Sequence, residues 1–231
     1  MQYGKTVLGR FLSRPNRFIA YVEIEGREIV CHVKNTGRCK ELLTPGATVV
    51  LEKSDNPARK TDYDLIAVYK GEKLINMDSV APNKAFGEWA VQSGFFGDSP
   101  KVTAERTYAD SRFDFYIETE GRRIFVEVKG VTLEKDGVLM FPDAPTTRGA
   151  KHMRELAQAV KEGYEAMVFF VAQMEDCLHF LPNENTDPAF ALALREAAEQ
   201  GVQVYCINCK VTEDTMTLDR PIPVYLKGEA P

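Results

Sequence analysis

Residues 112–129, RFDFYIETEGRRIFVEVK, alternate apolar and polar so regularly that they constrain the rest of the chain. Two period-two runs, 112–118 and 123–129, flank Glu120-Gly121, and the pattern predicts a β-hairpin closed by a two-residue loop. Placing that dipeptide at the turn sets Phe113 opposite Val128, Phe115 opposite Val126 and Ile117 opposite Ile124, giving one apolar side. On the other side Asp114 opposes Glu127, and Lys129 follows on the same face. Directly opposed Cβ atoms lie about 4.5–5.5 Å apart, and like charges so placed destabilise a sheet. The bland reading is a solvated hairpin face, and a register slip of two residues separates the carboxylates. The sharper reading is a hard divalent cation held between them, with Lys129 steadying a developing phosphate anion or a metal-bound water.

The spacing D-x12-E-x-K resembles the active-site signature of the PD-(D/E)xK nuclease superfamily. Alone the pattern is short and common, so its context decides. The chain has 231 residues, 44% apolar and 27% charged, enough for one large or two modest domains with a real core. No apolar run approaches the ~20 residues that a membrane span needs. The N-terminus lacks an apolar signal region, and five cysteines without framework spacing suit a reducing compartment, so the expected location is cytoplasmic. Net charge is −5, yet residues 1–80 hold 13 Lys+Arg against 10 Asp+Glu. The remainder holds 16 against 24. A basic segment joined to an acidic one suits a protein that holds a polyanion and works on it through a metal, and equally suits chance.

Residues 1–80 read as β-rich, with strands at 7–12, 18–24, 28–33, 48–52, 63–69 and 73–76 and one short helix over 38–43. This order predicts a small closed barrel of the OB type, a fold that often binds oligonucleotides. Basic residues gather at its loops: Arg14 and Arg17 bracket the first turn, Lys34, Arg38 and Lys40 surround Asn35-Thr36-Gly37, and Arg59-Lys60 follow Asn56-Pro57. Such placement is what phosphate contact requires, although most loop cations only aid solubility.

From residue 81 the pattern changes. A helix is expected over 84–93 with Phe86, Trp89 and Ala90 on its apolar side and Glu88 off it. A strand near 101–107 leads into the hairpin. A short strand follows at 138–141, PDAPTTRG reads as a turn, and 151–162 as a helix flanked near its start by Arg148, Lys151 and Glu155. Apolar strands at 165–172 and 202–207 surround a helix at 189–199, which indicates buried, partly parallel pairing. The fold class expected is α/β (α+β overall): an OB-like β-barrel over 1–80, then a restriction-endonuclease-like α/β sandwich over 81–231.

The segments FLSRPNRF (11–18), HVKNTGRCKELLTPGA (32–47), NPARKTDYDL (56–65), SRFDF (111–115), FVEVKGVTL (125–133) and FPDAPTTRGAKHMREL (141–156) resemble the sugar fermentation stimulation protein (SfsA) family across both domains. The resemblance implies DNA binding with little sequence preference and a nuclease-like C-terminal domain. It makes Asp114 and Glu127 the metal ligands, joined by the Val128 carbonyl, with Lys129 as the catalytic lysine and Mg²⁺ or Mn²⁺ as the ion. It suggests Glu88 as a further acidic ligand, a weaker match than the others, and puts Arg148, Lys151 and His152 where phosphate contacts occur. Phe113 stands where the superfamily usually has proline.

The partner expected is DNA, with RNA open, no membrane, and a dimer as the assembly. The functions weighed are a metal-dependent nuclease and, alternatively, a non-catalytic DNA-binding regulator of sugar metabolism that retains the scaffold. Cys206-x-x-Cys209 lacks a second pair and reads as structural, as does the Cys31, His32 and Cys39 group; His179 reads as a sheet residue.

Overall fold

The computed structural model describes residues 1–35 and 37–227. The N-terminal part contains β1 (Thr6–Ser13), β2 (Ile19–Ile24), β3 (Arg27–Val33), β4 (Thr48–Lys53), β5 (Tyr63–Lys70) and β6 (Lys73–Asn76). They pair in the order β3-β2-β1-β4-β5-β6, and a parallel contact of β3 with β5, His32 against Asp64 and Val33 against Leu65, closes the first five into a barrel. Its inside is filled by Ala20, Val22, Cys31, Val49, Leu51, Leu65 and Val68, each almost fully buried. Closure removes the sheet edges that an open five-stranded ribbon leaves unpaired.

The helix expected over 38–43 does not form. Cys39 sits in the left-handed region (φ 45°), and only a turn remains, with the Leu42 and Leu43 amides bonded to the Cys39 carbonyl. A helix cannot propagate through a residue held at positive φ, and Pro45 limits the residue before it.

The second part begins with α1 (Ala81–Gln92), which starts three residues before the expected position with Pro82 in its first turn. Then come β7 (Lys101–Tyr108), β8 (Ser111–Thr119), β9 (Arg122–Val131), β10 (Glu134–Lys135), β11 (Val138–Phe141), α2 (Thr147–Lys161), β12 (Glu165–Ala172), β13 (His179–Pro182), α3 (Pro188–Glu199), β14 (Gln203–Val211) and β15 (Met216–Pro221). The main sheet runs β15-β14-β12-β9-β8-β7, with β12 parallel to both β9 and β14. Phe86 and Ala90 of α1 pack on one face, against Ile117, Ile124, Val126 and Phe169. Met153, Leu156 and Ala157 of α2 and Phe190 and Leu194 of α3 cover the other, over Tyr116, Phe125, Val168 and Phe170. Because both faces are covered, the central strands read as apolar runs. Phe86, Phe169, Phe170 and Phe190, each almost fully buried, are among the largest apolar side chains between these layers. The short strands β10, β11 and β13 form a separate small sheet that carries His179.

The barrel and the sandwich share one core. Val33, Cys39 and Leu42 belong to the same buried cluster as Leu139, Phe170 and Phe180. At the join, the Asn76 amide donates to the Gln173 carbonyl (2.9 Å) and Lys70 Nζ lies 2.8 Å from Glu134 Oε2.

Candidate metal centre

The hairpin of β8 and β9 has the expected turn and register. Glu120 and Gly121 take positive φ (47° and 79°), as a two-residue loop of the primed type demands, and Phe115 pairs with Val126, Tyr116 with Phe125 and Ile117 with Ile124. The ladder then stops, before Asp114 and Glu127. Opposite Asp114 on the other neighbouring strand, Glu105 holds φ 56°, and that pair is missing from an otherwise regular register. Asp114 Oδ2 accepts the Val128 N–H (2.8 Å), so a side chain takes up a donor at the point where the β8–β9 ladder stops. Phe113 therefore does not join Phe115 and Val128 on one apolar side. It packs on the other face with Tyr108, Phe125 and the His152 ring (centroids 5.9, 5.4 and 5.8 Å), a correction of the regular alternation.

Two carboxylates are brought together here in unlike surroundings. Asp114 Oδ1 accepts from the Asn83 side-chain amide (2.7 Å), which reaches in from the first turn of α1. Burial, and then the negative charge of Glu127, push the Asp114 carboxyl above its ordinary range, and the Val128 amide offsets this only in part. Glu127 is 2% exposed. Burial raises its carboxyl too, but the hydrogen bond from His152 and the charge of Lys129 outweigh that and hold it below the usual range. Its Oε1 receives both partners, His152 Nδ1 at 2.6 Å and the Lys129 ammonium. Its Oε2 is buried with no partner. His152 Nε2 accepts from Arg148 Nε (3.3 Å), which leaves the proton on Nδ1, directed at Glu127.

An orphaned, buried, ionised oxygen beside a second carboxylate that resists ionisation is an arrangement a hard cation relieves. Oxygen donors on Asp114 and Glu127 fit such an ion, and Lys129 sits on Oε1 of Glu127, which leaves Oε2 unpartnered. Among the described residues no group of three or more Asp, Glu, His or Cys is gathered to hold a metal, so an ion here would have two side-chain ligands. Glu88 does not supply a third. Its carboxylate pairs with the Met1 amine at 2.6 Å and is half exposed, on the part of α1 beyond Asn83.

The expected nucleic-acid contacts divide in two. Arg14 is a staple: its guanidinium donates to the carbonyls of Gly37, Arg38, Arg17 and Asn35 at 2.6–2.8 Å. Lys34 lies 2.9 Å from the buried Asp78 carboxylate and 3.4 Å from Glu52. Arg59 makes a two-pronged pair with Asp64. His152 is 2% exposed and orients Glu127. These four are engaged inside the fold, with the buried Arg14 Nε alone lacking a partner, so they are less available to phosphate than the exposed cations. Arg17, Arg38, Lys60 and Arg148 are exposed and pair with no carboxylate among the described residues, and the half-exposed Lys151 donates to the Asp110 carbonyl at 3.2 Å and lies 3.5 Å from Glu155. Asn83 was not singled out from the sequence, where an amide in a helix first turn carries no signal.

Residues 80–215 match the profile described as the sugar fermentation stimulation protein RE domain, and residues 12–77 match the SfsA N-terminal OB domain. The chain belongs to the sugar fermentation stimulation protein (SfsA) family. Curated SfsA homologues include one from Desulfitobacterium hafniense strain Y51, 58% identical over 216 residues (94% of each chain), and one from Clostridium beijerinckii, 52% identical over 226 residues (98% of this chain, 100% of the other). Among solved structures, SfsA of Pyrococcus furiosus in complex with Ca²⁺ is 28% identical, covers 97% of this chain and 98% of its own, and superposes with a TM-score of 0.88. The OB barrel followed by a sheet-rich domain is thus an SfsA architecture, and no helix among the described residues is long and apolar enough to cross a membrane.

Proposed function

We propose that this SfsA protein binds DNA with little sequence preference and hydrolyses its phosphodiester bonds with a Mg²⁺ or Mn²⁺ ion held by Asp114, Glu127 and the Val128 carbonyl. The observation that carries this reading is the unpartnered, buried Glu127 Oε2 next to the strained ionisation of Asp114. A pure binder has no need of a carboxylate pair that costs stability. The Ca²⁺ complex of the Pyrococcus furiosus relative supports a divalent ion. When bound, such an ion lowers the pKa of a coordinated water and offsets charge on the scissile phosphate.

The chain's own residues supply the rest. His152, donating through Nδ1, fixes the rotamer of Glu127 and keeps Oε1 occupied so that Oε2 remains the free donor. Lys129, 18% exposed, places an ammonium at the mouth of the site to meet negative charge that develops on phosphate. Asn83 and the Val128 amide hold Asp114 in one orientation. Arg148 and Lys151 on the first turns of α2 contact the flanking phosphates.

The test is cleavage of single-stranded, duplex and branched DNA, and of RNA, by wild type, Asp114→Ala and Lys129→Ala in Mn²⁺, Mg²⁺ and EDTA. Cleavage that requires metal, disappears in both variants and leaves DNA affinity intact in Lys129→Ala is the expected result. A wild type that binds and never cuts sinks the enzyme reading and leaves a DNA-binding regulator.

A further inference from the structure

Three cavities adjoin one another across the join of the two domains. The barrel mouth, about 640 Å³, carries Arg17, Arg38 and Lys40. It shares Arg17, Gly37 and Ala144 with an interdomain cleft of about 480 Å³. That cleft ends at Thr146, and the next residue, Thr147, lines a third cavity of about 600 Å³ with Arg112, Arg148 and Lys151. The catalytic strand forms the wall of the cleft from Gly130 onward, one residue past Lys129, and His152 of the third cavity touches Glu127. The candidate metal centre therefore lies between the second and third cavities.

The charge along this path alternates in a way that discriminates. At the barrel mouth Arg17, Arg38 and Lys40 are exposed and pair with no carboxylate among the described residues. At the far end Arg148 pairs with no carboxylate among the described residues, Arg112 lies 3.3 Å from the exposed Glu105, and Lys151 meets the Asp110 carbonyl at 3.2 Å and Glu155 at 3.5 Å; these three cations outnumber Asp110, the one acidic residue lining that cavity. The middle is different. Apart from Arg17, where it joins the barrel mouth, its charged and buried polar groups are the Asp143 carboxylate and Gln173, which is 2% exposed. The Gln173 Nε2 donates to Asn76 and to the Asp78 carbonyl, and its Oε1 accepts nothing among the described residues. Phe141, Pro142 and Pro145 supply flat apolar wall. Acceptors and a carboxylate repel phosphate but suit the donor edges of a nucleobase, and the volume falls in the range of small-ligand sites.

We infer that these cavities form one track for a single nucleic-acid strand, with its phosphates on the two cationic cavities and an unpaired base in the interdomain cleft. A duplex hides its Watson–Crick edges and would bring phosphate to the inner cleft, where Asp143 opposes it. This deepens the proposed nuclease reading by naming its substrate class as single-stranded nucleic acid. The gap at the centre of the track also explains why an OB barrel is fused to this domain: it delivers the strand from its mouth.

The test is read by binding, in EDTA, so that it stands apart from cleavage. Fluorescence anisotropy with labelled DNA of about 12 nucleotides, within the span of one OB barrel, compares single strand, blunt duplex and a single strand with abasic sites. Wild type is expected to bind the single strand at least tenfold more tightly than either of the others. Arg38→Glu with Lys40→Glu should weaken single-strand binding tenfold or more. Ala144→Trp, at an exposed position that lines both cavities, should fill the cleft and erase the difference between normal and abasic strands. Equal or tighter duplex binding overturns the inference, and so does an Ala144→Trp protein that still distinguishes the abasic strand. Should Ala144→Trp fail to melt as wild type does, the strand preference and the charge-reversal variant decide. Absent cleavage with this binding pattern defeats the nuclease reading alone.

Discussion

Asp114→Asn is expected to make the protein more stable and to abolish its response to divalent ions. The carboxylate is buried and faces Glu127, and both circumstances raise its pKa. Like charges on neighbouring side chains repel by roughly 3 kcal/mol at an effective dielectric of about 20. Against this, the hydrogen bonds from Val128 N–H and Asn83 Nδ2 change from charge-assisted to neutral, a loss of about 1 kcal/mol each. The asparagine remains satisfied, because its carbonyl accepts from Val128 and its amide can meet the oxygen of a flipped Asn83. The net gain is about 1 kcal/mol, or about 2–4 °C in Tm for a chain of this size. The sign is also visible in pH. Because the folded pKa of Asp114 lies above its unfolded value, the wild type carries the penalty at neutral pH and sheds it as pH falls through the folded value. The advantage of the variant should therefore shrink toward acid. Calorimetry from pH 7 downward, with and without Mn²⁺, measures both effects. A variant that melts below wild type at pH 7, or that Mn²⁺ still stabilises, refutes the argument that this carboxylate is kept for an ion.

Glu127→Gln should behave in the opposite sense. Its folded pKa is depressed, so the wild type holds an advantage above the unfolded value that disappears as pH falls through the folded one, and denaturant titrations at several pH values test it. His152→Ala removes a hydrogen bond to a buried charge and an edge contact with Phe113, and should cost about 3 kcal/mol and about 6–12 °C in Tm. An unchanged melting temperature would mean that Glu127 is held by Lys129 alone. Arg14→Ala, which strands four carbonyls, should lose about 2–4 kcal/mol in urea unfolding, whereas Arg38→Ala should stay within about 0.5 kcal/mol.

Much of this architecture was legible in the sequence because it rests on local periodicity. The hairpin turn needed two residues that tolerate positive φ, and Glu120-Gly121 supplies them; once the turn is set, the register follows. The crossing of Phe113 to the other face was not legible, since it depends on a side chain, Asp114, taking a backbone donor. Thr146-Thr147-Arg148-Gly149 reads as a turn, but Thr146 Oγ1 accepts the Gly149 amide at 3.0 Å and caps α2 four residues early. The strands β13 and β15 were missed because Pro182 ends the first and Asp219, Arg220 and Pro221 interrupt the apolar pattern of the second. Loop arginines look alike in sequence; whether one meets four carbonyls or solvent is decided by tertiary structure.

That division of the cations bears on the proposed attraction of a polyanion to the barrel. Of the basic residues expected to contact phosphate, Arg14, Lys34 and Arg59 are occupied by carbonyls, Asp78 and Asp64. Their charge is neutralised or locked into the fold, so a uniform basic surface does not follow from the +3 balance of residues 1–80. Of the barrel's free cations named here, Arg17, Arg38 and Lys40 concentrate at the barrel mouth, next to the cleft that leads to Lys129. A focused patch at one end of a barrel steers a strand by its approach direction, which a diffuse surface of the same net charge does not. The fold thus uses Arg14 to hold the carbonyls of Asn35, Gly37 and Arg38, and leaves Arg17, Arg38 and Lys40 to load the proposed track.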